Sequence, residues 1–539
     1  MRSTDTSANL FVALRAGFPE DLDSAAIESL DDAGLVYTWR DLDLASAMLA
    51  NLLDSLDLPA ASRIAVQAEK SVESLLFYLA VLRAGHVYLP LNTAYKSDEI
   101  AYFLGDAEPA VFVCAPKDFT WASKVAFAAR TTFVFTLGDD RSGSLLERAT
   151  HFGTEHTPAT RAADDLAAIL YTSGTTGRAK GAMLSHGNLL SNAVTLKSCW
   201  GWRDAGTNGD VLLHALPIFH VHGLFVASHG ALLAGAKMLW LGRFDAKRVA
   251  ANLPRATVFM GVPTLYVRLL AEPGLSEAAC RNIRLFISGS APLLLDTFDE
   301  FRRRTGHTIL ERYGMSETVM LTSNPYDAAD GDRRGGTVGF PLPGVGLRVR
   351  GEGGAGGEGG SECAAGEVGG IEVRGPNVFR GYWRMPEKTK EEFSGDGWFR
   401  TGDVGRVDER GYVTIVGRSK DLIISGGYNV YPAEIESVLN ELPGVAESAV
   451  IGVPHGDFGE AVVAVVVARP GAPLDTDAMT RVLKAKIANF KVPKSIFVVA
   501  ELPRNAMGKV QKNVLREHHR ALYTPAAAGA GRGIIIDSK

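Results

Sequence analysis

The sequence predicts an α/β protein in which a large amino-terminal domain of parallel-type sheets and helices precedes a small α+β domain. Short apolar runs such as RIAVQA at 63–68 alternate with helical patterns such as 71–85, the order expected of βαβ units. The chain of 539 residues is long enough for several folding units. A new α+β pattern begins after Gly417, so we place the domains at residues 1–417 and 418–539.

Further strands are predicted along the large domain. They run over 86–91, 110–115, 132–137, 167–171, 257–260, 284–288 and 308–312. Several end in a polar or glycine-bearing loop, and open α/β sheets bind ligands at the carboxyl ends of their strands. The glycine-heavy stretch 351–360 predicts a loop in a small β subdomain, and the low-complexity tail from about 524 is predicted to be disordered.

The overall composition is that of an ordinary globular protein. Hydrophobic residues make up 46% and charged residues 22%, and the net charge of -5 gives no reason to expect nucleic acid as a partner. One basic segment, 481–520, holds ten Lys or Arg and two Glu, a local charge of +8 that suits phosphates. The four cysteines have no C-x-x-C spacing, so we expect no zinc site, no disulfide framework and a cytoplasmic location. We predict neither a signal peptide nor a membrane span, and the oligomeric state stays open.

A loop able to hold phosphate follows the strand at 167–171. It concentrates glycines that let the backbone approach closely, hydroxyls that donate hydrogen bonds and a cation: Thr172, Ser173, Gly174, Thr175, Thr176, Gly177 and Lys180. Composition alone also fits a flexible surface turn, but the position after a buried strand favours phosphate binding. A P-loop is excluded, because Walker A needs four residues between its glycines and Ser or Thr after its lysine, whereas Gly181 follows Lys180 here.

The string YTSGTTGRAKG at 171–181 resembles the phosphate-loop motif of the adenylate-forming superfamily, which contains acyl-CoA synthetases, luciferases and peptide-synthetase adenylation domains. Further motifs follow in the family's order, so the resemblance covers roughly residues 30–520. It implies an ATP-dependent ligase that joins a carboxylic acid to coenzyme A through an acyl-adenylate. It also implies that the small carboxyl-terminal domain is mobile and rotates between the two half-reactions.

The resemblance implies a second nucleotide motif whose aromatic residue, Tyr313, lies near adenine. Its last residue, Glu317, is expected to hold Mg²⁺, because this ion prefers carboxylate oxygens and shares its coordination shell with phosphates. Asp403 is expected to accept hydrogen bonds from the ribose hydroxyls, with Arg418 nearby. Besides these residues and the phosphate loop, the residues expected at ATP are Ser290, Ala291, Pro292, Glu311, Arg312, Gly314, Met315, Ser316 and Lys509.

The carboxyl-terminal domain is expected to carry groups that serve one half-reaction each. Lys420 in GRSKD resembles the hinge between the domains. Lys509 in PRNAMGK resembles the catalytic lysine that binds the attacking carboxylate and the α-phosphate, where a cation is needed because adenylation brings two anions together. The loop that lines the tunnel for the pantetheine chain of coenzyme A is matched by Ser425, Gly426 and Gly427.

The acid is expected to be small and to carry a second carboxylate. Relatives that act on bulky acids commonly have glycine where this chain has Arg312, and Arg268 follows Pro263 by about one and a half helical turns. Two guanidinium groups facing one cavity would bind a carboxylate in bidentate geometry. The residues expected at the acid carboxylates are Arg268, Arg312, His220, His222 and Ser288, and His220 is also considered as a catalytic group.

Three segments, GVPTLYVRLL, LERYGMSET and FISGSAPL, together resemble malonyl-CoA synthetases, some of which also accept methylmalonate. We therefore predict a ligase that makes malonyl-CoA, AMP and pyrophosphate from malonate, ATP and coenzyme A. One alternative is an acyl-CoA synthetase for another short-chain acid, and an alternative of another class is a non-catalytic nucleotide-binding regulator. If the diacid prediction is wrong, Arg268 is a surface residue of a helix and Arg312 pairs with a neighbouring acid.

Replacing Lys509 with alanine should nearly abolish adenylation, because its cation is needed where the carboxylate meets the α-phosphate. Thioesterification of supplied malonyl-adenylate should be affected much less. The first step is measured as pyrophosphate release and the second as coenzyme A-dependent loss of the adenylate. Equal losses in both half-reactions would refute this role of Lys509.

Overall fold

The computed structural model describes residues 7–172, 179–206, 208–351, 360–425, 428–505 and 508–523. Two compact units divide the chain. The first consists of Met1–Leu347 and Val373–Phe399, and the second of Arg348–Glu372 and Arg400–Lys539. Each unit combines sheets with helices, so the predicted α/β class is confirmed.

The strands of the first unit fall into two sheets. In chain order they are β1 (Ala25–Ser29), β2 (Val36–Thr38), β3 (Arg63–Gln67), β4 (Val87–Pro90), β5 (Val111–Cys114), β6 (Phe133–Thr136), β7 (Leu166–Thr172), β8 (Lys180–Ser185), β9 (Val211–His214), β10 (Lys237–Trp240), β11 (Val258–Gly261), β12 (Leu285–Ser288), β13 (Leu310–Tyr313), β14 (Thr322–Ser323) and β15 (Phe340–Pro341). One sheet has the order β6-β5-β3-β4-β7-β8 and the other β15-β14-β13-β12-β11-β9-β10-β1-β2.

Both sheets are largely parallel, as the alternating pattern predicts, and antiparallel strands lie at one edge of the smaller sheet and at both edges of the larger one. The strands β3 to β7 pair in parallel, and only β8 runs against its neighbour β7. In the larger sheet, β9 to β13 are parallel, whereas β14, β15 and β2 are antiparallel to their neighbours. The parallel strands carry apolar side chains on both faces, which requires cover on both sides.

Helices cover these sheets. In chain order they are α1 (Leu10–Ala16), α2 (Trp39–Asp54), α3 (Val72–Arg83), α4 (Ser97–Ala107), α5 (Phe119–Ala128), α6 (Ser144–Ala149), α7 (His186–Cys199), α8 (His229–Leu233), α9 (Ala246–Asn252), α10 (Pro263–Leu270), α11 (Glu277–Cys280), α12 (Leu295–Thr305) and α13 (Pro386–Glu392). Helix α3 is buried along its whole length, as its apolar sequence predicts, and Ser71 and Ser74 form its capping box.

The second unit contains two small sheets, one of four strands and one of five, together with helices. Its strands and helices are β16 (Gly346–Arg350), β17 (Gly369–Arg374), β18 (Phe399–Val407), β19 (Val413–Arg418), β20 (Ile423–Ser425), β21 (Tyr428–Val430), α14 (Pro432–Asn440), β22 (Val445–His455), β23 (Gly459–Ala468), α15 (Thr476–Lys486), β24 (Ser495–Val499) and α16 (Lys512–His519). Alternate residues of β23 pack into different apolar clusters, one with Ile435 and Leu483 and one with Leu515. This explains the unbroken apolar run in that strand.

The order of the larger sheet decides where a site can form. The strands β9, β11, β12 and β13 are successive neighbours, so their carboxyl ends meet at one edge. Those ends are His214, Gly261, Ser288 and Tyr313. Below them, rings from β11, β12, α10 and α12 pack edge to face in one apolar core: Phe259, Phe286, Tyr266 and Phe301.

A buried ion pair joins the opposite, amino ends of β9 and β12. Arg284 donates from Nε to Asp210 Oδ1 at 2.8 Å and from Nη2 to Oδ2 at 2.6 Å, and its Nη1 donates to the Trp200 carbonyl at 2.9 Å. The Asp210 side chain is fully buried, and Thr257 donates a further hydrogen bond to it. The charge on each partner is therefore compensated inside the protein.

Replacing Arg284 with methionine should lower the free energy of unfolding by about 3 to 5 kcal/mol, because the carboxylate of Asp210 would be left buried and uncompensated. Urea denaturation followed by circular dichroism measures the change. The matched control is Arg40→Met, which breaks an exposed ion pair with Asp23 and should alter the unfolding midpoint little. A similar small effect for both substitutions would contradict the structural role of the buried pair.

Candidate active site

Helix α4 anchors both ends of the predicted phosphate loop. The Tyr102 hydroxyl donates to the Ala179 carbonyl at 2.7 Å, and the Tyr171 hydroxyl donates to Asp106. Of the loop itself, Thr172 is half-buried and its Oγ1 donates to the Lys180 carbonyl at 3.4 Å. The remaining predicted residues of the loop lie outside the described residues: Ser173, Gly174, Thr175, Thr176 and Gly177.

Glu317 belongs to a network of side chains that reaches the phosphate loop. The Tyr382 hydroxyl donates to Glu317 Oε1 at 2.9 Å, and the Lys180 ammonium lies 4.2 Å from the centroid of the same tyrosine ring. Lys180 also pairs with Glu392 at 3.2 Å. Glu317 is buried, so its carboxylate is held in one position between the two predicted nucleotide motifs.

These contacts fit the predicted magnesium ion. Within the described ranges, no cluster of three or more His, Cys, Asp or Glu could form an all-protein metal cage. Magnesium needs none where substrate phosphates and water complete its shell, and one positioned carboxylate such as Glu317 is then enough. Tyr382 and Glu392 were missing from the sequence prediction, because neither lies in a motif that marks Tyr382 as a partner of Glu317 or Glu392 as a partner of Lys180.

The carboxyl end of β12 and the turn that follows it lie against β13. The Leu293 amide donates to Glu311 Oε1 at 3.0 Å, and burial raises the pKa of Glu311 to about 7. Ser290 adopts a left-handed backbone with φ of 71°. The other predicted nucleotide residues here are partly or fully accessible to a ligand: Ala291, Pro292, Tyr313, Gly314, Met315 and Ser316.

Arg312 is buried beside the carboxyl end of β12, and no carboxylate of the described residues compensates its charge. Its exposed fraction is 2%, and its Nε and Nη2 atoms have no hydrogen-bond partner among the described residues. The guanidinium lies flat against Gly289, since a Cβ built there would come within 2.5 Å of Nη1. Burial lowers the pKa of Arg312 to about 9, which reflects the unfavourable environment of its charge.

Two further predicted residues of the acyl pocket are buried without partners. In the part of the chain that is described, neither ring nitrogen of His222 forms a hydrogen bond. The Ser288 hydroxyl forms none there either. Burial, and then the nearby charge of Arg312, lowers the pKa of His222 well below its ordinary value. Arg312, His222 and Ser288 therefore bring polar groups, and one net positive charge, to the same edge of the sheet.

The other two predicted acyl residues are less enclosed. His220 is half-buried, and its charge acts on His222. Arg268 is exposed on α10. It follows the buried Tyr266 by two positions, which places it about 200° around the helix from that residue. No contact between Arg268 and Arg312 is found among the described residues, so a shared role of the two arginines remains a prediction.

The second unit holds the predicted ribose group. Asp403 and Arg418 are register partners on β18 and β19, and Arg418 Nε lies 2.6 Å from Asp403 Oδ1. The Thr401 hydroxyl accepts a hydrogen bond from the Asp403 amide at 3.1 Å. The structure thus brings together the two residues that the sequence expects at the ribose, although their role there is a prediction.

The remaining predicted groups of the second unit lie on turns. Lys509 is exposed, and its backbone amide donates to Asn505 Oδ1 at 3.0 Å in a turn closed by the Asn505 amide and the Lys509 carbonyl. Lys420 is exposed in the turn Ser419–Asp421, and Ser425 is buried at the end of β20. Gly426 and Gly427 lie outside the described residues.

A parallel sheet with an anion-binding edge, a carboxylate suited to magnesium and a separate α+β unit carrying a lysine turn defines an AMP-forming acid–thiol ligase. Residues 20–383 match the family described as AMP-binding enzyme, and residues 434–509 match the AMP-binding enzyme C-terminal domain. The chain belongs to the family of AMP-binding enzymes.

Individual relatives extend over most of the chain. A malonate–CoA ligase of Arabidopsis thaliana is 36% identical over 488 residues, 85% of this chain and 78% of the relative. A long-chain-fatty-acid–CoA ligase of Bacillus subtilis is 32% identical over 516 residues, 90% of each chain. The crystal structure of ATP-bound MatB from Rhodopseudomonas palustris matches with a TM-score of 0.91 and 52% identity, covering 96% of this chain and all of that one. No described helix is both long and apolar enough for a membrane span.

Replacing Tyr382 with phenylalanine should raise the Mg²⁺ concentration needed for half-maximal adenylation, because Glu317 would lose the hydroxyl that orients its carboxylate. The aromatic ring beside Lys180 is kept, so binding of the phosphates by that lysine should change little. ATP-dependent pyrophosphate release at a series of Mg²⁺ concentrations measures the effect. An unchanged Mg²⁺ dependence would contradict the assignment of Glu317 to the metal.

Proposed function

We propose that the chain is a malonate–CoA ligase that forms malonyl-CoA, AMP and pyrophosphate through a malonyl-adenylate. The observation that carries this proposal is the buried guanidinium of Arg312, which meets no carboxylate among the described residues. An unpaired buried charge is strongly unfavourable, so such a group is expected where a ligand supplies the opposite charge.

The ligand that satisfies Arg312 must remain negatively charged after activation. The carboxylate that attacks ATP becomes part of a mixed anhydride and loses its charge, so it cannot compensate a guanidinium throughout the reaction. A second carboxylate on the same acid can, and arginine binds it in bidentate geometry. Malonate is the shortest dicarboxylic acid whose two carboxylates are joined through a carbon atom, and the bulk of Arg312 leaves less space for a long acyl chain.

The names of two relatives point to different acids. The Arabidopsis relative is named for malonate, whereas the Bacillus relative is named for long-chain fatty acids and is nearly as similar in overall identity. Overall identity therefore does not select the acid. The local environment of Arg312, Gly289, His222 and Ser288 is what favours malonate here.

The reaction follows from these groups in two steps. An oxygen of one malonate carboxylate attacks the α-phosphorus of ATP and expels pyrophosphate, while Arg312 holds the other carboxylate and Lys509 offsets the charge where the two anions meet. Glu317 would hold Mg²⁺, which would supply positive charge to offset that of the phosphates. The thiol of coenzyme A then loses its proton, attacks the acyl carbon and expels AMP. No acyl group is bound covalently to the protein.

The remaining parts of this proposal concern motion, substrate range and location. We place the moving domain at residues 418–539 with Lys420 as its hinge, because Lys509 serves adenylation and the pantetheine tunnel serves the second step. Methylmalonate is proposed as a second substrate. Nucleic acid and membrane are not expected as partners, and the cytoplasm is the proposed location, supported by the scattered cysteines.

Replacing Arg312 with glycine should lower kcat/KM for malonate by roughly two to four orders of magnitude, since a buried charge pair worth about 3 to 5 kcal/mol is lost. Activity with propionate or butyrate should not fall comparably and should rise if the freed space admits the alkyl chain. The quantity to measure is the ratio of the two kcat/KM values.

Arg312→Lys is the matched control, because it keeps the positive charge but loses the bidentate fork. Its malonate activity should lie between those of the wild type and Arg312→Gly. Arg268→Ala tests separately whether the exposed arginine contributes. Near-normal malonate kinetics in Arg312→Gly would refute the diacid while leaving the ligase assignment standing.

A further inference from the structure

A buried lysine outside the predicted motifs lies directly beneath the acyl pocket. Lys70 follows β3, and its ammonium donates to the His214 carbonyl at 2.9 Å and to the Leu241 carbonyl at 2.7 Å. It also lies 3.0 Å from His214 Nδ1 and 4.2 Å from the centroid of the Trp240 ring. The three protons of the ammonium thus have three acceptors, and Lys70 ties the carboxyl edge of the smaller sheet to that of the larger one.

This arrangement fixes the protonation of His214. A carbonyl oxygen can only accept, so the contact of His214 Nε2 with the Gly223 carbonyl places the ring proton on Nε2, and Nδ1 accepts from Lys70 Nζ. His214 Nε2 lies 3.1 Å from both the Gly223 carbonyl and the Ser228 hydroxyl, and that hydroxyl itself donates to the Gly223 carbonyl at 2.9 Å. Lys70 therefore donates to His214, and His214 in turn donates to the Gly223 carbonyl.

Gly223 is the residue after His222, at the start of a π-helical segment that runs from His222 to Ser228. The backbone is tightly enclosed here, since a Cβ on Gly223 would lie 2.0 Å from the Pro217 carbonyl oxygen. Holding the Gly223 carbonyl holds the first turn of this segment, whose first residue is His222. Single π-helical turns within helices frequently occur at functional sites.

We propose that Lys70 and His214 are positioning residues for the acyl pocket, which fix the segment that presents His222 beside Arg312 and so set the preference for a second carboxylate. This inference rests on the proposed malonate specificity. Hydrogen bonds that only joined the two sheets would need no defined tautomer of His214 and would not extend beyond that residue. Here they continue to the residue adjoining His222, whose ring nitrogens have no other partner in the described chain.

The decisive comparison uses two substitutions of His214. His214→Gln keeps an N–H donor near the position of Nε2, whereas His214→Phe keeps a ring and loses the donor. For His214→Phe we expect KM for malonate to rise and the malonate-to-propionate ratio of kcat/KM to fall by at least about ten-fold. This figure is the lower end of the loss measured when residues that hydrogen-bond to metal ligands are replaced. His214→Gln should keep the ratio within about three-fold of wild type.

Lys70→Met supplies a readout that does not depend on the acid. In protein labelled with ¹⁵N-histidine, the His214 signals, assigned by their loss in His214→Gln, should report a proton on Nε2 in the wild type. In Lys70→Met the proton should stay on Nε2, which the Gly223 carbonyl requires, but the Nδ1 signal should shift because its hydrogen-bond donor is lost. The malonate-to-propionate ratio should fall, while propionate-dependent pyrophosphate release shows that the protein is folded.

The outcomes separate this inference from the proposed function. A wild type with no malonate preference, but with an Nδ1 signal that shifts in Lys70→Met, would refute malonate specificity, and with it the role of these residues in selectivity. A wild type that prefers malonate, combined with an unchanged ratio in both His214→Phe and Lys70→Met, would refute the positioning role alone. Equal losses with malonate and propionate would assign Lys70 and His214 to structure only.

Discussion

The acyl pocket depends on one guanidinium that is buried without a counter-charge in the described protein. Water solvates an arginine far better than an apolar interior does, so burying Arg312 costs free energy that the folded chain must supply elsewhere. Gly289 makes the burial sterically possible, because any side chain at that position would overlap the guanidinium. A ligand with a permanent negative charge would remove the penalty, and the site is therefore selective for such a ligand before any other contact is considered.

The same sheet contains a second buried arginine in the opposite situation. Arg284 at the amino ends of the strands is held by Asp210 in a bidentate pair, so its charge stabilises the fold and is not available to a ligand. Arg312 lies at the carboxyl end, where parallel sheets bind ligands. The proposed binding role of Arg312 therefore rests on its position in the sheet and on the lack of a carboxylate partner among the described residues, rather than on burial alone.

Much of the fold and part of the site could be predicted from the sequence. Apolar runs predicted eight of the parallel strands to within one or two residues, but not β1, β9 and β10. The helical pattern at 71–85 contains the observed helix Val72–Arg83. The alternation expected of βαβ units is local in sequence, so a pattern of residues can reveal it. Asp403 and Arg418 were both predicted at the ribose, and the antiparallel register of their strands explains why they meet.

The contacts that position those motifs could not be predicted in this way. Tyr382 reaches Glu317 across 65 residues, and Lys70 reaches His214 across 144. Such contacts depend on the order of strands in the sheets, for which a single sequence gives no local signal. Arg268 is exposed on its helix, so the cavity that helical spacing from Pro263 suggests it shares with Arg312 stays a prediction.

Comparing malonate with malonamate, in which an uncharged amide replaces one carboxylate at almost unchanged size, tests the central claim most directly. If a second carboxylate compensates Arg312, wild-type kcat/KM should be roughly two to four orders of magnitude higher for malonate, following from a buried pair worth about 3 to 5 kcal/mol. The difference should largely disappear in Arg312→Met, which removes the charge but keeps a side chain of similar length. Wild-type values for the two acids within about three-fold of each other would contradict the account.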